Sequence, residues 1–407
     1  MKVLMFGWEF PPHNSGGLGV ASAKLAYALT AEGIEVVFVL PRRIGIEKGP
    51  FKILFADETP VTFYEAQALS SGYVSSEQYK ERRALLRDAQ YGITLFDEVM
   101  RYAIRAKSIA KLERCDVVHA HDWLSFGAGI TAKRVSKRPL VAHMHATEFD
   151  RTGGSNINEE VYMREKKGME SADRVVAVSS LTKRMIVDRY GIAEDAVDVV
   201  YNAADTHADR HETPDPVLQF KNATGKKMVL FVGRFTLQKG PDYFLRAADL
   251  VLKHDKNVFF VMAGSGDMEP QIIRLAAELG ISGSLFFSGF VRGEELCSLY
   301  RAADVFVMPS VSEPFGITTL ESLSHGTPVI ISKQSGVSEV LNHALKVDFW
   351  DVEETANKII SVLRHKSLQD TLEEHGRREA AKYTWRDAAA KIIGIYERLL
   401  GRHRLFY

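Results

Sequence analysis

Short apolar runs alternate with longer amphipathic stretches along most of the chain. In the first half the runs are Val3–Phe6, Val36–Leu40, Lys52–Leu54, Asp116–Ala120, Leu140–Met144, Arg174–Val178 and Val197–Tyr201. They are rich in β-branched residues and apolar at consecutive positions, the pattern of strands buried on both faces, and the stretches between them are long enough for crossover helices. Val20, Ala21, Leu25, Ala28 and Leu29 form the stripe of a first helix, with Gly33 as its stop. Between Ala203 and Thr224 the alternation lapses into Asp205, His207, Asp209, His211, Pro214 and Pro216, the composition of an interdomain connection. It resumes with Met228–Gly233, Val258–Gly264, Leu285–Gly289, Asp304–Pro309 and Pro328–Ser332, and the last stretch of about 50 residues reads as helical. Residues 57–100 fit the alternation least and are expected to elaborate the first domain. The pattern predicts an α/β protein with an N-terminal parallel-sheet domain over 1–204, a linker over 205–225 and a second such domain over 226–385. A C-terminal helix and tail over 386–407 is expected to pack back on the first domain.

Composition narrows the function classes. The 407 residues are 46% apolar and 26% charged, enough to build two cores and too apolar for disorder as the main state. Lys and Arg total 52 and Asp and Glu total 52, a balance that argues against nucleic acid as a partner. The two cysteines, Cys115 and Cys297, have neither CxxC spacing nor a histidine cluster beside them, so neither a disulfide framework nor a cysteine zinc site is expected. The N-terminal apolar stretch is too short for a signal peptide, and no run is long enough to span a bilayer. A cytoplasmic protein is expected.

In open parallel sheets, ligands sit beyond the carboxyl ends of the strands and over helix N-termini, so the loops after the strands are the place to look for chemistry. After the first strand, Gly16, Gly17 and Gly19 free a loop to bring backbone N–H groups to an anion. Taken alone, Gly17-Leu18-Gly19-Val20-Ala21-Ser22 approximates a dinucleotide fingerprint. About eight residues separate it from the strand, however, and the second strand ends in Leu40-Pro41-Arg42 in place of an acid for a ribose hydroxyl. An NAD(P)-dependent oxidoreductase is therefore the distant alternative. In the second half, Val232–Gly240 places Arg234 and Lys239 after a strand, two cations that can neutralise a diphosphate. Farther on, Glu313 and Glu321 flank Pro314-Phe315-Gly316-Ile317-Thr318, where Pro and Gly open a helix whose first N–H groups form an anion site. Two carboxylates so near an anion site point to sugar hydroxyls or to a developing positive charge. Of the alternate pair His119 and His121, one is expected to face the core, and His121 beside Asp122 is taken as the site residue.

Several of these elements occur together and in one order: Gly16-Gly17-Leu18-Gly19, His119-Ala120-His121-Asp122-Trp123, His145-Ala146-Thr147-Glu148, Gly233-Arg234 with Lys239-Gly240, Glu313-Pro314-Phe315-Gly316 with Glu321, and Tyr383-Thr384-Trp385. In this the chain resembles the retaining glycosyltransferases of the GT-B fold, and its glycogen and starch synthase branch in particular. The resemblance implies two Rossmann-like domains facing each other across a cleft. It also implies a nucleotide diphosphate sugar as donor, ADP-glucose or UDP-glucose, and an α-glucan as acceptor.

On that resemblance His145, Arg234, Lys239 and Glu313 are the catalytic residues. Gly16, Gly17, Gly316, Ile317, Thr318 and Glu321 bind the donor, and His121 and Asp122 serve the acceptor or sugar side. Arg234 and Lys239 stabilise the leaving diphosphate in the place of a metal, so neither metal nor cofactor is expected, in keeping with the lack of a DxD-like pair beside a strand end. No first-domain carboxylate stands out as a covalent nucleophile, and the resemblance implies a front-face displacement in which the departing phosphate helps deprotonate the acceptor. The same fold and reaction could instead serve a lipid, a cell-surface saccharide or a small sugar. The basic stretch Arg101–Arg114 bears on the lipid case: Tyr102, Ile109 and Leu112 lie among five cations, and a crossover helix is the reading preferred over membrane contact.

Overall fold

The structure is a computed structural model that describes residues 1–13, 16–46, 49–58, 94–205 and 216–401. It divides into two units. The first comprises Met1–Thr147, Asn158–Tyr201 and Trp385–Tyr407; the second comprises Glu148–Ile157 and Asn202–Thr384.

The first unit is built on a seven-stranded parallel sheet. Its strands are β1 (Lys2–Phe6), β2 (Glu35–Leu40), β3 (Lys52–Phe55), β4 (Val117–His121), β5 (Leu140–Met144), β6 (Arg174–Ala177) and β7 (Val197–Val199), in the order β3-β2-β1-β4-β5-β6-β7. The second unit has six parallel strands: β8 (Lys227–Val232), β9 (Val258–Ala263), β10 (Leu285–Gly289), β11 (Val305–Met308), β12 (Val329–Ser332) and β13 (Leu345–Val347), ordered β10-β9-β8-β11-β12-β13. Both orders reverse direction beside the first strand of the sheet, between β1 and β4 and between β8 and β11. Such switch points are where doubly wound sheets open a crevice for ligands.

Apolar alternation explains the packing. In the first unit Val3, Met5, Val36, Phe38, Val117 and Val141 share a buried cluster with Leu25 and Leu29 of helix Gly17–Ala31 and with Ile392, Ile395 and Tyr396 of helix Trp385–Leu399. In the second, Phe231 and Phe260 close on Phe244 of helix Pro241–His254 at ring-centroid distances of 5.5 and 5.7 Å. Aromatic pairs at such separations add to the stabilisation from burial.

Three stretches differ in detail from the sequence expectation. β13 was not foreseen. Of the expected linker 205–225, residues 206–215 lie outside the described set, and Pro216–Thr224 is a helix. Its Lys221 pairs with Asp304 at 2.8 Å. Of the elaboration 57–100, residues 59–93 also lie outside, and its end opens helix Leu95–Leu112 through a Thr94–Asp97 capping box. That helix carries most of the basic stretch. Tyr102 and Ile109 are buried against the unit's own core, and the Tyr102 hydroxyl donates to the carbonyls of Gly7 and Val39 at 3.0 and 2.7 Å. These two are therefore occupied, while Met100, Ile104 and Leu112 of the same helix are exposed. Among the described residues no helix is long and apolar enough to cross a membrane.

Candidate functional site

Each unit carries chemistry at the carboxyl ends of the strands flanking its switch point. In the second unit the chain leaves β8 through Gly233 and Arg234, then forms a 3-10 turn over Leu237–Lys239, with Gly240 at φ +63° ending it. Only glycine fits there, because a Cβ would meet the Pro309 carbonyl oxygen at 2.2 Å. Lys239 Nζ forms an ion pair with Glu313 Oε2, and Ser310 Oγ donates to the same oxygen at 3.3 Å. Glu313 is 6% exposed, so this pair is shielded from water on the carboxylate side. The Glu313 main chain is held from both directions, its N–H donating to the Gln334 carbonyl at 2.9 Å and its carbonyl accepting from Gly336 N–H at 2.8 Å. Arg234 reaches the Gln238 side-chain oxygen at 3.4 Å.

After Glu313 the chain turns at Gly316, φ +113°, the N-cap of helix Ile317–Ser324. The N–H groups of Ile317 and Thr318 lie in the first turn of that helix, where the dipole favours an anion. Glu321 stands about one turn farther on and accepts from the Tyr300 hydroxyl at 3.0 Å. Burial first, and then the Glu321 charge, push the Tyr300 phenol well above its ordinary range, so it remains a donor. Residues Glu148–Ile157 belong to this unit, and Ser312 Oγ donates to Asp150 Oδ1 at 2.6 Å.

In the first unit Gly16 is the extended N-cap of helix Gly17–Ala31, and a Cβ on Gly17 would meet nothing within 4 Å. β4 ends at His121, and Asp122 opens the next helix at φ +57°. For a non-glycine residue that conformation is uncommon, although Asp tolerates it better than most, and it is held here because Asp122 Oδ1 accepts the His145 N–H at 2.6 Å. His121 Nδ1 and His145 Nε2 are 2.9 Å apart. The structure thus brings His121, Asp122 and His145 together at the ends of β4 and β5, and Lys239 with Glu313 at the ends of β8 and β11.

Sequence reasoning missed the company these residues keep. His119 and His121 do not divide between faces, because residues two apart on a strand share one. His143, paired with His121 across β4 and β5, lies with them. All four imidazoles are buried, and burial holds them below the ordinary histidine range, His145 at about 3 and the others well down, with neighbouring imidazoles adding to the shift of those three. The available signal was a repeat: Val-x-His-x-His occurs in both strands, at Val117–His121 and Val141–His145.

A consequence follows for stability. The unfolded chain binds protons near pH 6.5 that the folded chain refuses until far lower. Stability contributed by the neutral imidazoles is therefore present above about pH 6.5 and is lost as pH falls toward the folded values, by up to about 1.4 kcal/mol per histidine per pH unit. Thermal melting in chelator is expected to drop steeply from about pH 7 to 5, and His119→Gln to flatten that slope. Equal slopes in the two proteins would contradict the assignment.

Comparison with known proteins agrees with this architecture. Glycosyltransferase Family 4 matches residues 15–208, and Glycosyl transferases group 1 matches residues 217–379. An uncharacterised glycosyltransferase of Methanocaldococcus jannaschii is 29% identical over 98% of both chains. The glycogen synthase of Mycobacterium tuberculosis is 26% identical over 97% of this chain and 94% of its own. The D-inositol 3-phosphate glycosyltransferase of Mycolicibacterium smegmatis is 31% identical over 74% of this chain and 71% of its own. Among solved structures, sucrose-phosphate synthase from Thermosynechococcus elongatus superposes with a TM-score of 0.78 at 20% identity, covering 99% of this chain and 100% of that one. HepE of Anabaena, in complex with UDP and glucose, does so at 0.73 and 16% identity, covering 98% and 100%. Two parallel-sheet α/β domains of the GT-B glycosyltransferase fold account for the whole arrangement.

Proposed function

The chain belongs to the group 1 glycosyltransferases, and we propose that it transfers glucose from ADP-glucose or UDP-glucose to an α-glucan with retention of configuration. The observation that carries this reading is the Lys239–Glu313 pair set beside the helix that opens at Gly316. A cation, a row of N–H groups and a buried carboxylate in one stretch suit a ligand that is phosphate at one end and polyhydroxylated at the other. Arg234 and Lys239 stabilise the charge that develops on the departing diphosphate, and the N–H groups of Gly316, Ile317 and Thr318 add to it. Glu321 accepts from ribose hydroxyls while Tyr300 orients its carboxylate. Glu313 binds hydroxyls of the transferred sugar. In the first domain the Gly16–Gly17 loop serves the distal phosphate, and His145, His121 and Asp122 serve the sugar and acceptor.

Likeness to a glycogen synthase along 94% of that enzyme supports the α-glucan acceptor. A second reading keeps donor and reaction and changes the acceptor to a small cyclic polyol or sugar phosphate; the higher identity to an inositol-phosphate glycosyltransferase favours it. Nucleoside diphosphate release, measured across several nucleotide sugars with and without glycogen, separates the two. Glycogen is expected to raise release at least about tenfold, with glucosyl donors alone. Release indifferent to glycogen but stimulated by inositol 3-phosphate would replace the first reading by the second, and release with no nucleotide sugar would overturn both.

A further inference from the structure

The first domain holds a buried cluster of four histidines, and the proposed transfer reaction gives no role to two of them, His119 and His143. Val117, the first residue of β4, and Val141, the second of β5, lie in the core, and the same faces continue with His119 and His121 and with His143 and His145, the last just past the end of β5. The register His121↔His143 sets the pairs side by side. Their rings stack or tilt together at centroid distances of 4.3 to 5.3 Å. Apolar side chains would fill such a face without polar cost, as they do one step earlier on both strands.

These imidazoles cannot satisfy one another. A neutral ring offers one donor and one acceptor nitrogen, and three nitrogens of the ladder, His121 Nε2, His143 Nε2 and His145 Nδ1, are buried without a hydrogen-bond partner. Buried polar atoms left in this way are rare in native folds, and since a ring gives an ion one nitrogen, it is the orphan on His121 that calls for an unplaced ion as its partner. One nitrogen from each of His119, His121 and His143 lies within 4.8 Å of the other two. His119 Nε2 and His143 Nδ1 are 3.3 Å apart, close to the edge of about 3.3–3.4 Å for two nitrogens on a tetrahedral ion bonded at about 2.0–2.1 Å. On its far side His119 Nδ1 lies 2.5 Å from the Tyr396 hydroxyl, the outer contact that commonly orients a ligating imidazole.

We propose that His119, His121 and His143 bind a divalent transition-metal ion, zinc foremost. Three neutral imidazoles suit zinc, copper, nickel or cobalt and do not suit magnesium or calcium, which take oxygen ligands. The ion ties β4 to β5 and takes one nitrogen of His121 while its Nδ1 faces His145, so His121 acts on the sugar side by positioning His145 and not by touching the sugar, and the ion takes no part in bond making.

Metal content tests this without donor or acceptor, so its outcome is independent of the transfer reading. The full chain is stripped with chelator, dialysed, reloaded with Zn2+ or Co2+ and passed through gel filtration. About one ion per chain should be retained, and it should raise the melting temperature. H119Q and H143Q should lose at least about tenfold in retained ion, whereas H254Q, at an exposed helix end, should keep it. Fewer than about 0.1 ions per wild-type chain, or unchanged retention in both ladder variants, would overturn the site. Should those variants fail to fold, X-ray absorption on the loaded wild type decides: imidazole nitrogens around the ion support the site, and an oxygen-only shell overturns it.

Discussion

Lys239→Ala is expected to lower turnover by about 10²–10³, with a smaller effect on KM, and Arg234→Ala to act in the same direction. A charge contact made chiefly in the transition state is worth about 2.7–4 kcal/mol, and the departing diphosphate gains its charge at that point. Lys239 should be the more sensitive of the two. Its ammonium pairs with Glu313, a carboxylate 6% exposed, with Ser310 the other hydrogen-bond partner found for that oxygen. Removing the lysine subtracts a cation from the diphosphate and also leaves a buried negative charge uncompensated beside it. The double variant Lys239→Ala with Glu313→Gln should therefore be less impaired than the product of the two single effects, because the second change removes the stranded charge. Single-turnover kinetics with a glucosyl donor, alongside melting curves, measure this. Turnover within threefold of wild type in both single cation variants would place the diphosphate elsewhere.

Much of this arrangement could be read from local pattern, since parallel strands buried on both faces leave a plain apolar signature and the loops after them carry the chemistry. Leu345–Val347 escaped because it is a three-residue edge strand with Lys346 at its centre, too short and too mixed to register as a run. Pro216–Thr224 read as connection because its few apolar residues follow a polar, proline-containing stretch; Pro216 in fact occupies the first helical position. Residue type and spacing single out Arg234, Lys239, Glu313 and Glu321 as candidates, and the Lys239–Glu313 contact is a finding of the structure. The partners were not legible: Glu313 meets a lysine 74 positions earlier, and Tyr396 meets His119 across 277 positions. Such pairs are chosen by topology, to which local periodicity is blind. The histidine ladder is an exception. Its signal, two strands with His at i and i+2, lies in the residue order itself, and the rule that such residues share a face is enough to unite each pair.

The second large effect is expected from a glycine packed against the loop that carries Arg234. Gly264→Ala should reduce turnover by about 10²-fold and lower stability by about 3 kcal/mol. Gly264 lies just past β9 at φ +145°, a conformation that side chains rarely adopt, and a Cβ there would sit 1.9 Å from the Gly233 carbonyl oxygen. Ordinary contact begins at 3.4 Å, so the Gly233 peptide would have to retreat by 3.4 − 1.9 = 1.5 Å. That peptide leads directly into Arg234. The two loops are laced together by Gly233 N–H to Ala263, Phe235 N–H to Ser265 and Met268 N–H to Phe235, at 3.0, 3.0 and 2.9 Å, so one carbonyl cannot move alone. The substitution shifts the loop that carries the cation, and a displacement near 1 Å is enough for a 10²-fold loss when charge must be met in place. Gly283→Ala is the matched control: nothing lies within 4 Å of its Cβ and its φ is ordinary, so activity should be unchanged and stability altered by under about 1 kcal/mol. Urea unfolding separates the two consequences of Gly264→Ala, since turnover measured well below the unfolding midpoint reports loop position alone. If that turnover matches wild type while stability falls, Arg234 does not need the β8 loop held against β9, and its proposed role in stabilising the diphosphate loses its structural support.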